Sequence, residues 1–346
     1  MTPQAALPER PPFKSLPLDK SGPPGNAWGL YGADDSLGAL NLLTPEVIAE
    51  ASKEIQLGER VSLDWQLTKP SQSSFDRPPF RKELVNKTMP GQPRRHVNDD
   101  VLHFNTQCSS QWDGFRHYGY QKAHRYYGDR THGDIEATDI IGIHSWVEKG
   151  GIVGRGVLLD YPAFCERKEI AFDALSSSAI SLDHIKQMAE ETGVTFRSGD
   201  ILLVRAGFTA AYEALGSEAR HELALRPSPD FLGVESTAAT LQWLWESGFA
   251  AVASDAPSFE QAPITGPHTA IGGAWAGEPW EEEMQTGGLL HQWLLAGWGV
   301  PIGEMFDLEA LAAKCKELGR STFFVSSVPL KVPGGVASPP NAIAIF

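Results

Sequence analysis

Cysteine is scarce in this chain: Cys108, Cys165 and Cys315 are the only three among 346 residues. An odd number at wide spacing builds no disulfide framework, and without a Cys-x-x-Cys pair a zinc ribbon or redox dithiol has no support. A reducing compartment, the cytoplasm, is the expectation. Positive charge is short as well. Lys and Arg number 29 against 43 Asp and Glu, a formal net charge of −14 at pH 7. That balance excludes nucleic acid and anionic membrane surfaces as general partners, because both require a positive field. No apolar run approaches the roughly 20 residues of a membrane span, and Met1 to Gly25 is Pro-rich and polar, with no stretch like the core of a signal peptide. No Gly-x-Ser-x-Gly elbow occurs, so a serine hydrolase of that type is unsupported. Gly150-Gly-Ile-Val-Gly-Arg-Gly looks like a phosphate loop. It precedes a strand, however, whereas a dinucleotide fingerprint follows one and opens a helix.

What is present suits a large core. Hydrophobic residues make up 42% of the chain and aromatics 10%, ten Trp among them, which excludes wholesale disorder. The Pro-Pro pairs at 11–12 and 23–24 predict an extended arm over residues 1–27. Thr44-Pro45-Glu46 opens a helix, with Thr as N-cap and Pro in the first turn. Period-two alternation from Val61 to Leu67 predicts a strand, and the Pro- and Lys/Arg-rich stretch 68–98 a long surface loop. Further strands are expected at 101–106, 154–160, 200–205, 249–255, 321–326 and 342–346. Helices are expected at 181–192, 209–215, 236–247, 287–296 and 307–318. Roughly 150 residues per domain would allow two domains. The interleaved elements instead favour one α/β (α+β) domain over 28–346.

Two constellations carry the polar chemistry. The first is Gln107-Cys-Ser-Ser-Gln111-Trp-Asp113-Gly-Phe-Arg-His117. Extended backbone lets Gln111, Asp113 and, after a bend, His117 point to one side. Polar ends at that density are costly to bury unless paired, metal-bound or facing a cleft. A hydrogen-bonded loop that staples the sheet is the plain alternative. The second is His291, early in an apolar helix with Leu290, Leu294 and Leu295, followed by Glu304 after Val-Pro-Ile. A lone His on such a face is more often a satisfied core residue than a ligand. Asp255-Ala-Pro-Ser-Phe-Glu260 either lines a cleft or forms a turn. Aromatic residues crowd both constellations. Trp112, Tyr118, Tyr126 and Trp275 are the candidates for walls of a pocket that takes a flat or apolar ligand.

These residues resemble the metal-dependent cyclase family, which includes bacterial kynurenine formamidases and isatin hydrolases. The family hallmark is His-x-Gly-Thr-His-x-Asp-x-Pro-x-His. Residues 107–117 match its spacing, with Gln107 and Gln111 at the two leading His positions, Asp113 at the Asp, Phe115 for Pro and His117 as the last His. His291 and Glu304 match the late His and Glu. Flanking stretches from Trp28 to Pro45, at 154–160, at 199–205 and at 255–260 are similar too, so the resemblance runs from about residue 26 to the C-terminus.

The resemblance implies a single swivelling β/β/α-like domain with a mixed sheet or barrel-like core and surrounding helices. It also implies a divalent metal held by Gln107, Gln111, Asp113, His291 and Glu304, with His117 as proton shuttle and Glu304 beside it in the catalytic set. With two imidazoles replaced by amides the donor set is oxygen-rich, and Mn2+ or Zn2+, with Mg2+ as a third option, is the expected ion. The implied activity is hydrolysis of an amide, cyclic amides included, or of a lactone in a small aromatic metabolite. The expected assembly is a homodimer or larger homo-oligomer. Two rival readings stand beside it: a metal-independent lyase, isomerase or cyclase of specialised metabolism, and a non-catalytic small-molecule binder.

Overall fold

The computed structural model describes residues 7–75, 77–226, 230–262 and 289–346. Its centre is a nine-stranded mixed sheet. In chain order the strands are β1 (Arg60–Ser62), β2 (Arg81–Asn86), β3 (Asn98–His103), β4 (Gln111–Asp113), β5 (Ile152–Asp160), β6 (Ser178–Ile180), β7 (Ile201–Arg205), β8 (Leu232–Val234), β9 (Ala251–Ser254), β10 (Ile302–Glu304), β11 (Thr322–Ser327), β12 (Ala337–Ser338) and β13 (Ala342–Ile345). The large sheet has the order β1-β13-β11-β5-β7-β9-β10-β4-β12, while β2 pairs with β3 and β6 with β8 in separate two-stranded sheets.

The parallel centre, β5-β7-β9-β10, is built from near-continuous apolar runs. Leu158, Leu159, Leu202, Leu203 and Val252 are all buried, as expected of parallel strands covered on both faces by helices. Local signals start those helices. Thr44 caps Pro45–Ala51 by accepting from the Val47 N–H, and Ser181 caps Leu182–Glu191 by accepting from His184. The other half of the sheet is antiparallel and curls. Asp64, just past β1 at one edge, bridges to Phe306 just past β10, and the Trp65 N–H donates to Ser110 Oγ at 2.7 Å. The sheet therefore forms a half-barrel surrounded by helices, in agreement with the mixed, barrel-like core expected.

Three expectations change in detail. The alternation at 61–67 survives as burial of Val61, Leu63 and Trp65, but the paired strand is only Arg60–Ser62. Residues 68–98 are not all loop, because β2 runs antiparallel to β3 as a hairpin. Its strands are exposed on nearly every residue, so no apolar period announced it. The helix expected at 287–296 begins outside the described residues and is wound over Gln292–Trp298 as a π-helix. The N-terminal arm is anchored on the domain from Pro11 onward: Phe13 meets Trp298 edge-on, the Trp245 indole donates to Pro11 O, and that of Trp298 to Gly25 O.

Candidate metal centre

β4 and β10 are antiparallel neighbours, with Gln111 opposite Glu304 and Asp113 opposite Ile302. Alternation along β4 sends Gln111 and Asp113 to one face and Trp112 to the other. Directly opposite residues share a face, so Glu304 joins the two. Gly303 makes the pairing possible. A Cβ there would stand 2.6 Å from Phe306 and 2.7 Å from the Ala253 Cβ, with Trp112 at 3.0 Å. His117 returns towards β4 through a turn closed by its own N–H to Gly114 O at 2.9 Å. His291 arrives from the far end of the chain, immediately before the π-helix, a form often found at functional sites.

Glu260 fixes the His291 ring. Its Oε1 accepts the His291 backbone N–H at 3.0 Å, and both carboxylate oxygens lie 2.8–2.9 Å from Nδ1. With Nδ1–H committed to Glu260, Nε2 faces inward, 3.0 Å from Glu304 Oε1 and 3.6 Å from Asp113 Oδ2. The amides complete the frame. Gln111 Nε2 donates to Glu304 Oε2 at 2.7 Å and to Gln107 Oε1 at 3.0 Å, and Gln107 Nε2 donates to Asp113 Oδ1. This network leaves three fully buried oxygens without a hydrogen-bond partner: Gln111 Oε1, Asp113 Oδ2 and Glu304 Oε1. The Glu304 contact with His291 is close but outside hydrogen-bond geometry. Ligand atoms of Asp113, His117 and His291 all lie within 4.8 Å of one another.

Charge in this space is finely divided. Burial pushes the Glu304 carboxyl up to about 7, helped by the neighbouring Asp113 charge. Asp113 is also pushed up by burial, but His117, His291 and the Gln107 amide outweigh it and hold it below the usual range. Burial works against protonated His291, yet Glu260, Asp113 and Glu304 raise it well above an ordinary imidazole. Burial dominates at His117 and lowers it, favouring the neutral ring, although the Asp113 charge pulls the other way.

The Cyclase family model matches residues 42–261, well over half of the chain. The chain belongs to the Cyclase family. A crystal structure of a novel cyclase is 28% identical over 93% of this chain and 99% of its own, with a TM-score of 0.76. Isatin hydrolase A from Ralstonia solanacearum shares the fold at 15% identity, with a TM-score of 0.56 over 88% of this chain and 98% of its own. An isatin hydrolase bound to the product analogue thioisatinate does so at 16% identity and a TM-score of 0.52, covering 89% and 97%. No curated protein matches the chain.

Within this chain, the residues named from sequence fall in different places. Gln107, Gln111, Asp113, His117, His291 and Glu304 come together. Gln107 is a brace, because both ends of its amide are engaged by Asp113 and Gln111. Tyr118 stands edge-on to His291 with ring centroids 5.7 Å apart. Trp112 is not a pocket wall: it is fully buried on the opposite face, packed on Phe306, with its indole donating to Ser327 Oγ. Tyr126 stacks on His132 and hydrogen-bonds that ring at 3.4 Å. Trp275 lies outside the described residues. Glu260 was readable only as one end of a cleft-or-turn segment. Arg77 was missed, since no motif surrounds it; its Nη1 donates to Gln107 O at 2.9 Å.

Proposed function

We propose that the protein hydrolyses an amide bond, cyclic amides included, or a lactone in a small aromatic metabolite, with a divalent cation in the cluster. One observation carries this reading. Three buried oxygens lack a hydrogen-bond partner, and two of them, on Asp113 and Glu304, lie 3.6 and 3.0 Å from a histidine nitrogen whose other ring nitrogen is locked by a buried carboxylate. Buried polar atoms are almost always satisfied, and a carboxylate behind the distal nitrogen is the usual support of a metal-ligating His. The residues fit a cation: Asp113, His291, Glu304 and the Gln111 oxygen would hold it. Their oxygen-rich character suits Mn2+ or Mg2+, and Zn2+ follows less naturally. Such an ion supplies Lewis-acid polarisation of a carbonyl and a lowered pKa for water.

The chain's own groups do the rest. His117, its neutral form favoured by burial, accepts the proton of the attacking water at a ring nitrogen and returns it to the leaving nitrogen or oxygen. Asp113 steadies the imidazolium formed between those two transfers. Tyr118 flanks His291 and offers a flat wall to an aromatic substrate. The same reading takes a small molecule as the partner of a cytoplasmic homo-oligomer. Among the described residues no helix is long and apolar enough to cross a membrane.

A second reading has its own support. His291, raised well above an ordinary imidazole by Glu260, Asp113 and Glu304, can itself supply the positive charge as an imidazolium. That arrangement would serve a metal-independent lyase or isomerase. Metal analysis of the purified protein, followed by chelation and re-addition of Mn2+, Mg2+ or Zn2+ against aryl amides, isatin and aryl lactones, separates the two. Stoichiometric metal with metal-restored turnover supports hydrolysis. His117→Ala should then lower kcat by about 10²- to 10⁴-fold, and full turnover in that variant would remove the shuttle.

A further inference from the structure

The β2–β3 hairpin stands off the body of the protein. None of residues 81–103 is buried. Among the described residues, every hydrogen bond and ion pair they make closes inside the hairpin. These are the β2–β3 ladder, the Asn86 and Thr88 side chains bound to the returning strand, and Lys87 paired with Asp99. The hairpin is tied down only at its root, where Phe80 meets Phe104 with ring centroids 6.2 Å apart and Arg77 donates to Gln107 O.

A two-stranded hairpin by itself is marginal in water and needs a further layer. This one also carries apolar side chains outward. Leu84 is 70% and Met89 63% exposed, and Val97, Val101 and Leu102 are exposed as well. The register sets Leu84 opposite Asp100 and Leu102 opposite Lys82, so the two leucines are diagonal neighbours on one face, while Val101, opposite Glu83, lies on the other. Apolar residues scattered over a surface are ordinary, but a group of them on one projecting element marks an interaction site.

Charge says what covers it. Lys and Arg outnumber Asp and Glu by five to three within 81–103, and are outnumbered by 40 to 24 in the rest of the chain. The side chains of Arg81, Lys82, Arg94 and Arg95 have no hydrogen bond or ion pair among the described residues. A nucleic acid or anionic membrane would meet the repulsion of a chain at −14. The complementary surface is the acidic body of another copy. Size agrees, because the 23 residues of the hairpin match the roughly 20–30 that one side gives to a standard interface.

We propose that residues 81–103 are a dimerisation arm, which packs its leucine face on the body of a second copy of this chain and places its cations against that copy's acids. A twofold axis lets each copy receive the other's arm. This rests on the homo-oligomer reading above and names its surface.

The test is sedimentation of the full-length protein between about 1 and about 100 µM, with far-UV circular dichroism as the folding control. Wild type is compared with the double variant Leu84→Asp, Leu102→Asp and with the triple variant Lys82→Glu, Arg94→Glu, Arg95→Glu. The expected result is a wild-type dimer, weakened at least about 100-fold by the double variant and at least about 10-fold by the charge reversal. All these side chains are exposed, so the spectrum should not change. Should one variant misfold, the other decides. A wild type that stays monomeric throughout overturns the arm and the homo-oligomer reading together. A dimer that either folded variant leaves within about twofold of wild type overturns the arm alone and puts the interface elsewhere.

Discussion

Replacing Glu260 by Gln tests the logic of the metal centre most sharply. The Glu260 side chain is fully buried, and its two oxygens receive both the His291 backbone N–H and the Nδ1–H of the ring. Gln has nearly the same shape and keeps one acceptor, so the backbone bond and the packing survive. The second oxygen becomes an NH2 group that cannot accept from Nδ1–H. The ring then keeps only Oε1, shared with the backbone N–H, so the Nδ1–H tautomer that leaves a lone pair on the nitrogen facing Asp113 and Glu304 is held more weakly and competes with the one that protonates Nε2. Loss of such a supporting carboxylate costs about 10- to 100-fold in metal affinity, which is about 1.4–2.7 kcal/mol. The apoprotein should suffer less, because the substitution also removes one of three mutually repelling carboxylates. Isothermal titration of Mn2+ into metal-free wild type and E260Q, with urea unfolding of both, gives the two numbers. A Mn2+ affinity within threefold of wild type would refute the reasoning, and would mean that Nε2 does not ligate.

Other perturbations probe the frame. Trp112→Ala should cost about 3–5 kcal/mol in urea unfolding, since it empties a fully buried volume against Phe306 and removes the indole's bond to Ser327 Oγ; a loss under 1 kcal/mol would return Trp112 to the pocket wall. Arg155 and Asp200 form a buried bidentate pair with bonds of 2.8 and 2.7 Å. Asp200→Ala should therefore destabilise by about 3–5 kcal/mol through the stranded guanidinium, measured by the same unfolding. Burial pushes the Asp255 carboxyl up to about 6, against the Ala206 and Gly207 N–H groups and Arg205, which pull it down. Because its folded pKa lies above the unfolded value near 3.9, this group favours folding when protonated. Its contribution is present below about pH 4 and is lost as pH rises to about 6, an amount of about 3 kcal/mol. Unfolding free energies of wild type and D255N across pH 4–7 should differ in slope over that window, and parallel curves would contradict the assignment.

The site was legible from residue chemistry and opaque where geometry decides. Residues 107–117 stood out because amides, an acid and an imidazole at that density are expensive to bury singly, whereas His291, 178 positions beyond Asp113, and Glu304 joined them through the family resemblance. Their meeting needed the β4–β10 pairing, which no local pattern specifies. The alternation that placed Gln111 and Asp113 together also implied that Trp112 turns away, a consequence that aromatic crowding obscured. Glu260 was visible only as the end of a turn segment, since an acid after a strand has no signature until His291 is brought against it. Arg77 sits in a Pro- and Arg-rich stretch where composition says surface. The π-helix over Gln292–Trp298 is buried throughout, and an all-round apolar segment carries no period from which its winding could be read.

The two glutamines make sense together rather than as losses. An imidazole at each position would give one nitrogen inward and one outward. An amide at Gln111 instead directs two N–H bonds at Glu304 and Gln107 while its buried oxygen stays unpaired, and Gln107 passes the constraint on to Asp113. The amides thus hold the two carboxylates in place without adding positive charge. Three acids gathered at one histidine still need positive charge from some source, because burying net negative charge in a low-dielectric interior is prohibitive. Protons can supply it, as the raised His291 and the Glu304 value of about 7 show. A divalent cation can supply it equally, displacing those protons as it binds. The demand is written into the fold, and proton and metal are competing answers to it.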